Sequence, residues 1–446
     1  MDYSEADREF STINTSPHSQ RKTIKFGRFE VDRTVANLFF AFLTIAGQVG
    51  QNVSLPLWID STILPPSGGH VNHTNAVTGY VTTQSNHTNT STGNGDGYQP
   101  RVDGFFVYSF ACISFVVIFG TTLIFIRIFQ PHRLGETERR FPHSQLFLVG
   151  LFDALNGLLV VFASSGSRTA PYLQAILGNF MIPLTMAFRY FILRKVPTLR
   201  KFLCAMVVLI SLFVCLIPKI FTSIDPEAES TGGASGVAGV LWPVCFMLGF
   251  LPAAVMNVIE ERGLKLELTH AKSRVNLVFF LFWTSLYQLL VALCLFWADF
   301  VPKFGYADNI HHFWDNWSFG FKCFFGGAGC GSKCGVRGTM FIVMYTISYI
   351  GGGNLMRFSE GATLVAIVTS VVTPLAFIFW TIFRESPFGF HPAIHVTTWF
   401  SIGGLVAMVP AIFLYNTGPE ETEKTTVDPE RSPLLHHKQN GINEYT

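Results

Sequence analysis

Residues 145–195 read QLFLVGLFDALNGLLVVFASSGSRTAPYLQAILGNFMIPLTMAFRYFILRK. Two apolar runs flank a short polar turn, 164–170, which leaves room only for a tight hairpin between antiparallel helices. Asp153 lies about halfway along the first run. An ionisable group at that membrane depth costs at least ~2.5 kcal/mol, so it faces protein or a watery cavity and marks a candidate functional site. Gln174, Gly178, Asn179 and Pro183 follow in the second run, a spacing that loosens the backbone and offers amide groups to a cavity. The pair reads as one wall of a permeation path.

The whole chain fits that reading. It is 49% hydrophobic and 13% charged, against roughly 25% charged in ordinary soluble proteins. The class is therefore an all-α integral membrane protein. Ten apolar segments are long enough, or nearly so, for a bilayer of ~30 Å: 35–58, 104–126, 145–162, 169–193, 202–217, 237–259, 275–298, 339–356, 362–383 and 393–415. Inside them the only Asp, Glu, Lys or Arg are Asp153 and Arg189. Arg189 lies close to Arg194 and reads as a side chain snorkelling to the interface. Asp153 has no such exit.

Orientation follows from the basic residues. With the N-terminus in the cytosol, cytosolic segments hold 22 of the 31 Lys and Arg and lumenal ones hold 8, which is the bias the positive-inside rule requires. An even span count returns the C-terminus to the cytosol. We expect no cleaved signal peptide, because the leading residues lack an apolar core. A net charge of +2 implies no nucleic-acid partner.

The expected organisation is a cytosolic tail, 1–33; a first five-helix half, 34–218, with a long lumenal loop, 59–103; a second half, 237–415, with another lumenal loop, 299–337; and a cytosolic tail, 416–446. The first loop carries the sequons Asn72, Asn86 and Asn89, which work only on the lumenal side. Asn316 begins a fourth sequon in the second loop. There His311, His312, Phe313, Trp314, Trp317, Phe319 and Phe321 suggest an interfacial aromatic helix. Cys323, Cys330 and Cys334 follow, and a lumenal compartment permits disulfides. Sequence alone does not choose the pair; we expect Cys323 with Cys334, which flank a Gly-rich loop, and Cys330 as the spare. A zinc site is the alternative, but the spacing matches no standard ligand pattern, and no metal is expected. In the tail, Glu430 stands four residues ahead of Leu434-Leu435, the acidic dileucine pattern read by cytosolic adaptor complexes.

An internal echo links the halves. Ile182-Pro183-Leu184-Thr185-Met186-Ala187-Phe188 is similar to Thr373-Pro374-Leu375-Ala376-Phe377-Ile378-Phe379, five helices on. An odd offset places the copies in opposite orientations, the mark of ten transmembrane helices in two inverted five-helix repeats with a binding site near the midplane. Asp153, Asn156, Gln174, Asn179, Pro183, Asn354 and Pro374 are the candidate cavity residues.

Phe152-Asp153-Ala154, the run Arg168-Thr169 to Gln174, Ile182-Pro183, Phe191 to Arg194, Gly320 to Cys323, Asn354-Leu355 and Thr363 to Pro374 together resemble the chloroquine resistance transporter family of the drug/metabolite transporter superfamily. The resemblance covers about residues 36–415 and rests on the order of the motifs. It implies the drug/metabolite transporter fold, a vacuolar, lysosomal or plastid membrane, and movement of small solutes such as amino acids, peptides, glutathione or cationic drugs. Two departures stand out. The family's loop carries four cysteines in two disulfides where this chain has three, and the acidic residue that its best-known member places before Asn-Leu is Gly353 here.

A buried carboxyl can load a proton in an acidic lumen and release it when the cavity opens to the cytosol, so Asp153 offers a coupling group; the alternative is a purely structural carboxyl. The chain has no paired carboxylates at a helix end, no HExxH and no phosphate loop, so neither enzyme nor cofactor is expected. A nucleotide-sugar carrier of the same superfamily is the runner-up, although it would want a basic cavity and Arg189 is the only candidate. A receptor or scaffold is the third class. Small-molecule substrate, protons, membrane lipid and tail-binding adaptors are the expected partners.

Overall fold

The computed structural model describes residues 23–26, 29–62, 98–193, 195–221, 233–265, 275–358, 368–369, 371–384, 388–392, 396–416 and 422–423. Long apolar runs force helices, because in a bilayer only a helix or closed barrel satisfies every backbone N–H and C=O internally. A short hairpin of β1 (Thr23–Phe26) and β2 (Phe29–Asp32) leads into α1 (Arg33–Ile59), and α2 (Gly104–Phe129) and α3 (His143–Ala163) follow. The predicted hairpin then turns into α4 (Pro171–Leu177) and α5 (Met181–Leu193). Next come α6 (Leu199–Ile220), α7 (Gly236–Lys265), α8 (Leu277–Cys294), α9 (Ile310–Phe324), α10 (Lys333–Phe358), α11 (Val372–Ile382) and α12 (Val396–Asn416).

Among the described residues, seven helices are long and apolar enough to cross a membrane: α1, α2, α3, α4 with α5, α6, α7 and α8 with the turn after it. Helix also occupies the remaining apolar segments, α10 covering all of 339–356 and α11 and α12 covering parts of 362–383 and 393–415.

One predicted helix is interrupted. Segment 169–193 passes through a tight 3-10 turn, Gly178–Phe180, between α4 and α5. Pro183 has no N–H to offer the Asn179 carbonyl four residues back, and Gly178 puts no side chain in the way of the tighter winding. In contrast, α7 runs unbroken through Pro243 and Pro252.

Packing is close between helices distant in sequence. The helix α10 lies along α1, α3 packs on α7 and α8, α2 on α8, α4 on α11, and α6 on α12. The α1–α10 approach needs Gly47, where a Cβ would sit 2.6 Å from the Met344 carbonyl oxygen. The outer faces expose Leu38, Phe42, Ile128, Phe213 and Leu241, which is the surface a helix shows to lipid.

The connections expected on the lumenal side gather at one end of the bundle. Asp60, just after α1, accepts from Ser165 Oγ (2.8 Å) and Gly166 N (2.7 Å) in the α3–α4 hairpin. Gly233 N donates to the Gly166 carbonyl at 2.7 Å, and Arg337 of α10 donates to the Leu57 carbonyl at 2.9 Å. We call this the hairpin end.

Candidate transport site

The polar centre forms where α2, α3, α7 and α10 converge. Asp153 of α3 is buried, only 8% exposed, and its carboxylate accepts hydrogen bonds from the side chains of Asn156, almost one turn on, and Tyr349 of α10. Tyr349 and Tyr345 share a hydroxyl hydrogen bond of 3.0 Å, and their rings stack. Opposite them, Tyr108 of α2 donates to the Ala154 carbonyl at 2.8 Å. Its ring leaves no room for a side chain at position 157, where a Cβ would come within 2.7 Å. A second buried carboxyl, Glu260 of α7, lies within reach of the Asp153 charge. The site thus holds two carboxyls and three phenols in apolar surroundings, with Asn156 Oδ1 left without a partner. Such an arrangement can take up and hand on a proton, or hold a cationic group.

Of the predicted cavity residues, Asp153 and Asn156 lie here. Gln174 is instead spent on the hairpin, where Nε2 donates to the Ser164 (2.9 Å) and Thr169 (2.6 Å) carbonyls. Asn179 is buried and exchanges hydrogen bonds with Thr373 of α11 (2.8 and 3.1 Å), which ties the turn just before one echoing segment to the start of the other. Pro183 is buried in α5, and Pro374 of α11 lines an apolar cleft with Phe377 and Leu405. Asn354 donates to its own helix, to the Ile350 carbonyl at 2.8 Å. Beside it, Gly353 abuts Leu277, so an acidic side chain at that position would first have to displace leucine methyls.

Sequence reasoning missed Glu260, Tyr345 and Tyr349. Glu260 begins the charged run Glu260-Glu261-Arg262, which read as the exit of a span, whereas α7 continues to Lys265. The two tyrosines, four apart on one helix face, carried the only available signal.

One prediction about the 299–337 loop is corrected. The disulfide joins Cys323 to Cys330, with Cα atoms 5.3 Å apart, and not Cys323 to Cys334. Cys334 is already the second residue of α10, buried as a free thiol beside Ser61 and Trp58, while the turn of Gly326 to Gly331 folds Cys330 back on Cys323. Asn316 does not present its amide to solvent in this fold. It is 0% exposed within α9, and its Oδ1 accepts from the Tyr98 hydroxyl (2.8 Å) and the Arg101 amide (3.1 Å). Asn72, Asn86 and Asn89, and Glu430, Leu434 and Leu435, lie outside the described residues. The aromatic segment does form a helix, α9, with Trp314 and Phe321 on its exposed face.

Several apolar membrane-length helices around a polar, carboxyl-bearing centre make this a multi-pass membrane protein built as a transporter is built. The family described as "CRT-like, chloroquine-resistance transporter-like" matches residues 102–415, and the chain belongs to that family. Among its relatives, Crt homolog 1 of Dictyostelium discoideum is 28% identical over 192 residues, 43% of this chain and 37% of the relative. Crt homolog 3 of the same organism is 26% identical over 193 residues, 43% of this chain and 36% of the relative. The matches therefore span little more than a third of those relatives' length.

Proposed function

We propose that the protein moves small solutes, such as amino acids, peptides, glutathione or cationic drugs, by alternating access across the membrane of a vacuole or lysosome-like acidic organelle. Both termini face the cytosol, the hairpin end faces the lumen, and Asp153 couples transport to protons. The role is export of solutes for nutrient and osmotic homeostasis. The observation that carries this reading is the buried Asp153 carboxylate, held by Asn156 and Tyr349 from two different helices. A proton exchanged there breaks or makes hydrogen bonds between α3 and α10, which ties protonation to helix position.

The arrangement as ten helices in two inverted halves is supported by the pairing of helices. Under an inversion that relates the first five spans to the last five, the α1–α10 contact maps onto α7–α3, and the α2–α8, α4–α11 and α6–α12 contacts map onto themselves; all are present. The Asn179–Thr373 pair then lies close to the symmetry axis.

The test is solute flux in proteoliposomes, with and without a pH gradient, using amino acids, glutathione and a nucleotide sugar. We expect gradient-driven flux of the first two, lost in Asp153→Asn without loss of folding. Equal gradient-driven uptake by wild type and Asp153→Asn removes the coupling role. Flux of the nucleotide sugar alone replaces the substrate class.

A further inference from the structure

The hairpin end carries a second group of buried carboxyls, which the Asp153 site does not use. Asp103 caps the N-terminus of α2, and Asp299 lies in the 3-10 turn Phe296–Phe300 after α8; they are 2% and 0% exposed. Each gives one oxygen to a backbone amide. Asp103 Oδ1 accepts from Phe106 N at 2.7 Å, and Asp299 Oδ1 accepts from Tyr306 N at 3.0 Å. Asp299 Oδ2 has no hydrogen-bond partner, and the buried Asn316 side chain faces Asp103. Gly305 brings the chain back over Asp299 so closely that a Cβ there would collide with the Asp299 carbonyl.

The neighbouring cations are committed elsewhere. Arg168 donates to the Phe162 (2.7 Å) and Phe304 (2.8 Å) carbonyls, and its guanidinium lies 4.1 Å from both the Trp242 and Tyr306 ring centres. Arg101 stacks on Tyr306 at 4.4 Å. Among the described residues, no ion pair joins either arginine to either aspartate. Two neighbouring carboxyls, sealed from water and with an oxygen lacking a donor, are best satisfied when the pair carries a proton.

We propose that Asp103 and Asp299 form a proton-binding site separate from Asp153, whose loading holds together the ends of α2 and α8, the α3–α4 hairpin and the start of α9. Burial first, then the Asp299 charge, pushes the Asp103 carboxyl from the usual 3.8 up to about 7. The closed arrangement therefore binds a proton that an opened, hydrated one releases. Its stability is full in acid and is lost as pH rises towards 7. In the orientation proposed above, an acidic lumen keeps this end shut.

Among the described residues, the other titratable groups around the pair are Tyr98, Arg101, Arg168 and Tyr306, with Asp60, Cys245 and His312 behind them. Burial holds Tyr98 and Tyr306 above the ordinary phenol range, so they stay neutral between pH 5 and 8. Asp60 is held by the hairpin donors. Among the described residues, His312, stacked on Tyr98 at 3.7 Å, needs its own control.

The experiment is hydrogen exchange of the full-length protein in lipid nanodiscs from pH 5 to 8, corrected for intrinsic exchange, in peptides covering residues 98–110 and 299–316. We expect the local opening constant to rise about tenfold per pH unit between 5 and 7 and then to level off. Asp299→Asn should abolish that dependence, and Asp103→Asn, which retains the helix cap, serves where the first variant does not fold. Asp153→Asn and His312→Gln should keep it. A flat wild-type profile, an unchanged slope in a folded Asp103 or Asp299 variant, or loss of the slope in His312→Gln overturns the proposal, whatever the flux assay gives.

Discussion

Replacing Arg168 with lysine keeps a positive charge at the hairpin and removes the planar fork that the structure uses. The guanidinium bridges two carbonyls, those of Phe162 and Phe304, which belong to segments 142 residues apart, and it is sandwiched between Trp242 and Tyr306. A lysine ammonium can reach one of the carbonyls and lie over one of the rings. The change therefore forfeits one charge-assisted hydrogen bond, about 1.5–3 kcal/mol in mutational series. It also forfeits one desolvated cation–π contact, about 0.5–2 kcal/mol. A water bridging the freed carbonyl recovers part of that sum, so we expect a net destabilisation of about 2–3 kcal/mol. Reversible unfolding in mixed micelles measures it, and a double-mutant cycle with Trp242→Leu isolates the ring contact, which should show a coupling of about 0.5–2 kcal/mol. A lysine variant within ~0.5 kcal/mol of wild type, the range of an ordinary surface change, refutes the reasoning.

Non-reducing peptide mapping should find Cys323 linked to Cys330 and Cys334 as a free thiol, and Cys334→Ala should leave the bridge in place; a Cys323–Cys334 peptide would contradict the fold of the loop. Glycosidase treatment should increase gel mobility, with the effect lost when Asn72, Asn86 and Asn89 are all changed to Gln and untouched by Asn316→Gln. The double change Leu434→Ala with Leu435→Ala should move the protein from organelle membranes to the cell surface without affecting folding. Unchanged localisation by microscopy would count against an adaptor signal in the tail.

The helices were legible because a bilayer forces the polar backbone of a long apolar run to satisfy itself within a helix, although the break at Gly178–Phe180 was not. Asp153 was legible for the same reason, as a lone charge in an apolar run that must face something other than lipid. What surrounds it was not. Tyr108, Glu260, Tyr345 and Tyr349 come from three other helices, and nothing local tells an inward tyrosine from one anchored at the interface. The cysteine pairing failed on a boundary, since α10 begins one residue before Cys334 and fixes it beside Trp58, whereas Gly326 and Gly329 between Cys323 and Cys330 take up positive φ and close the shorter loop.

The hairpin end was hidden more deeply. Asp103, Arg168, Trp242, Asp299, Tyr306 and Asn316 come from separate segments, and each has a bland local reading: a helix cap, a turn cation, an interfacial aromatic, a loop acid, a sequon. Their meaning comes from burial, which sequence periodicity cannot assign to residues in connections. Asn316 shows the consequence most directly. The motif Asn-Trp-Ser is a valid acceptor only if its amide reaches solvent, and here the same side chain is buried against Asp103, Tyr98 and Arg101. The residues that make it unavailable for a glycan are those that seal the two carboxyls from water. Modification at Asn316 and a buried proton site at Asp103 and Asp299 are thus mutually exclusive, so a glycan found on Asn316 would contradict both the fold of this end and the proton site built on it.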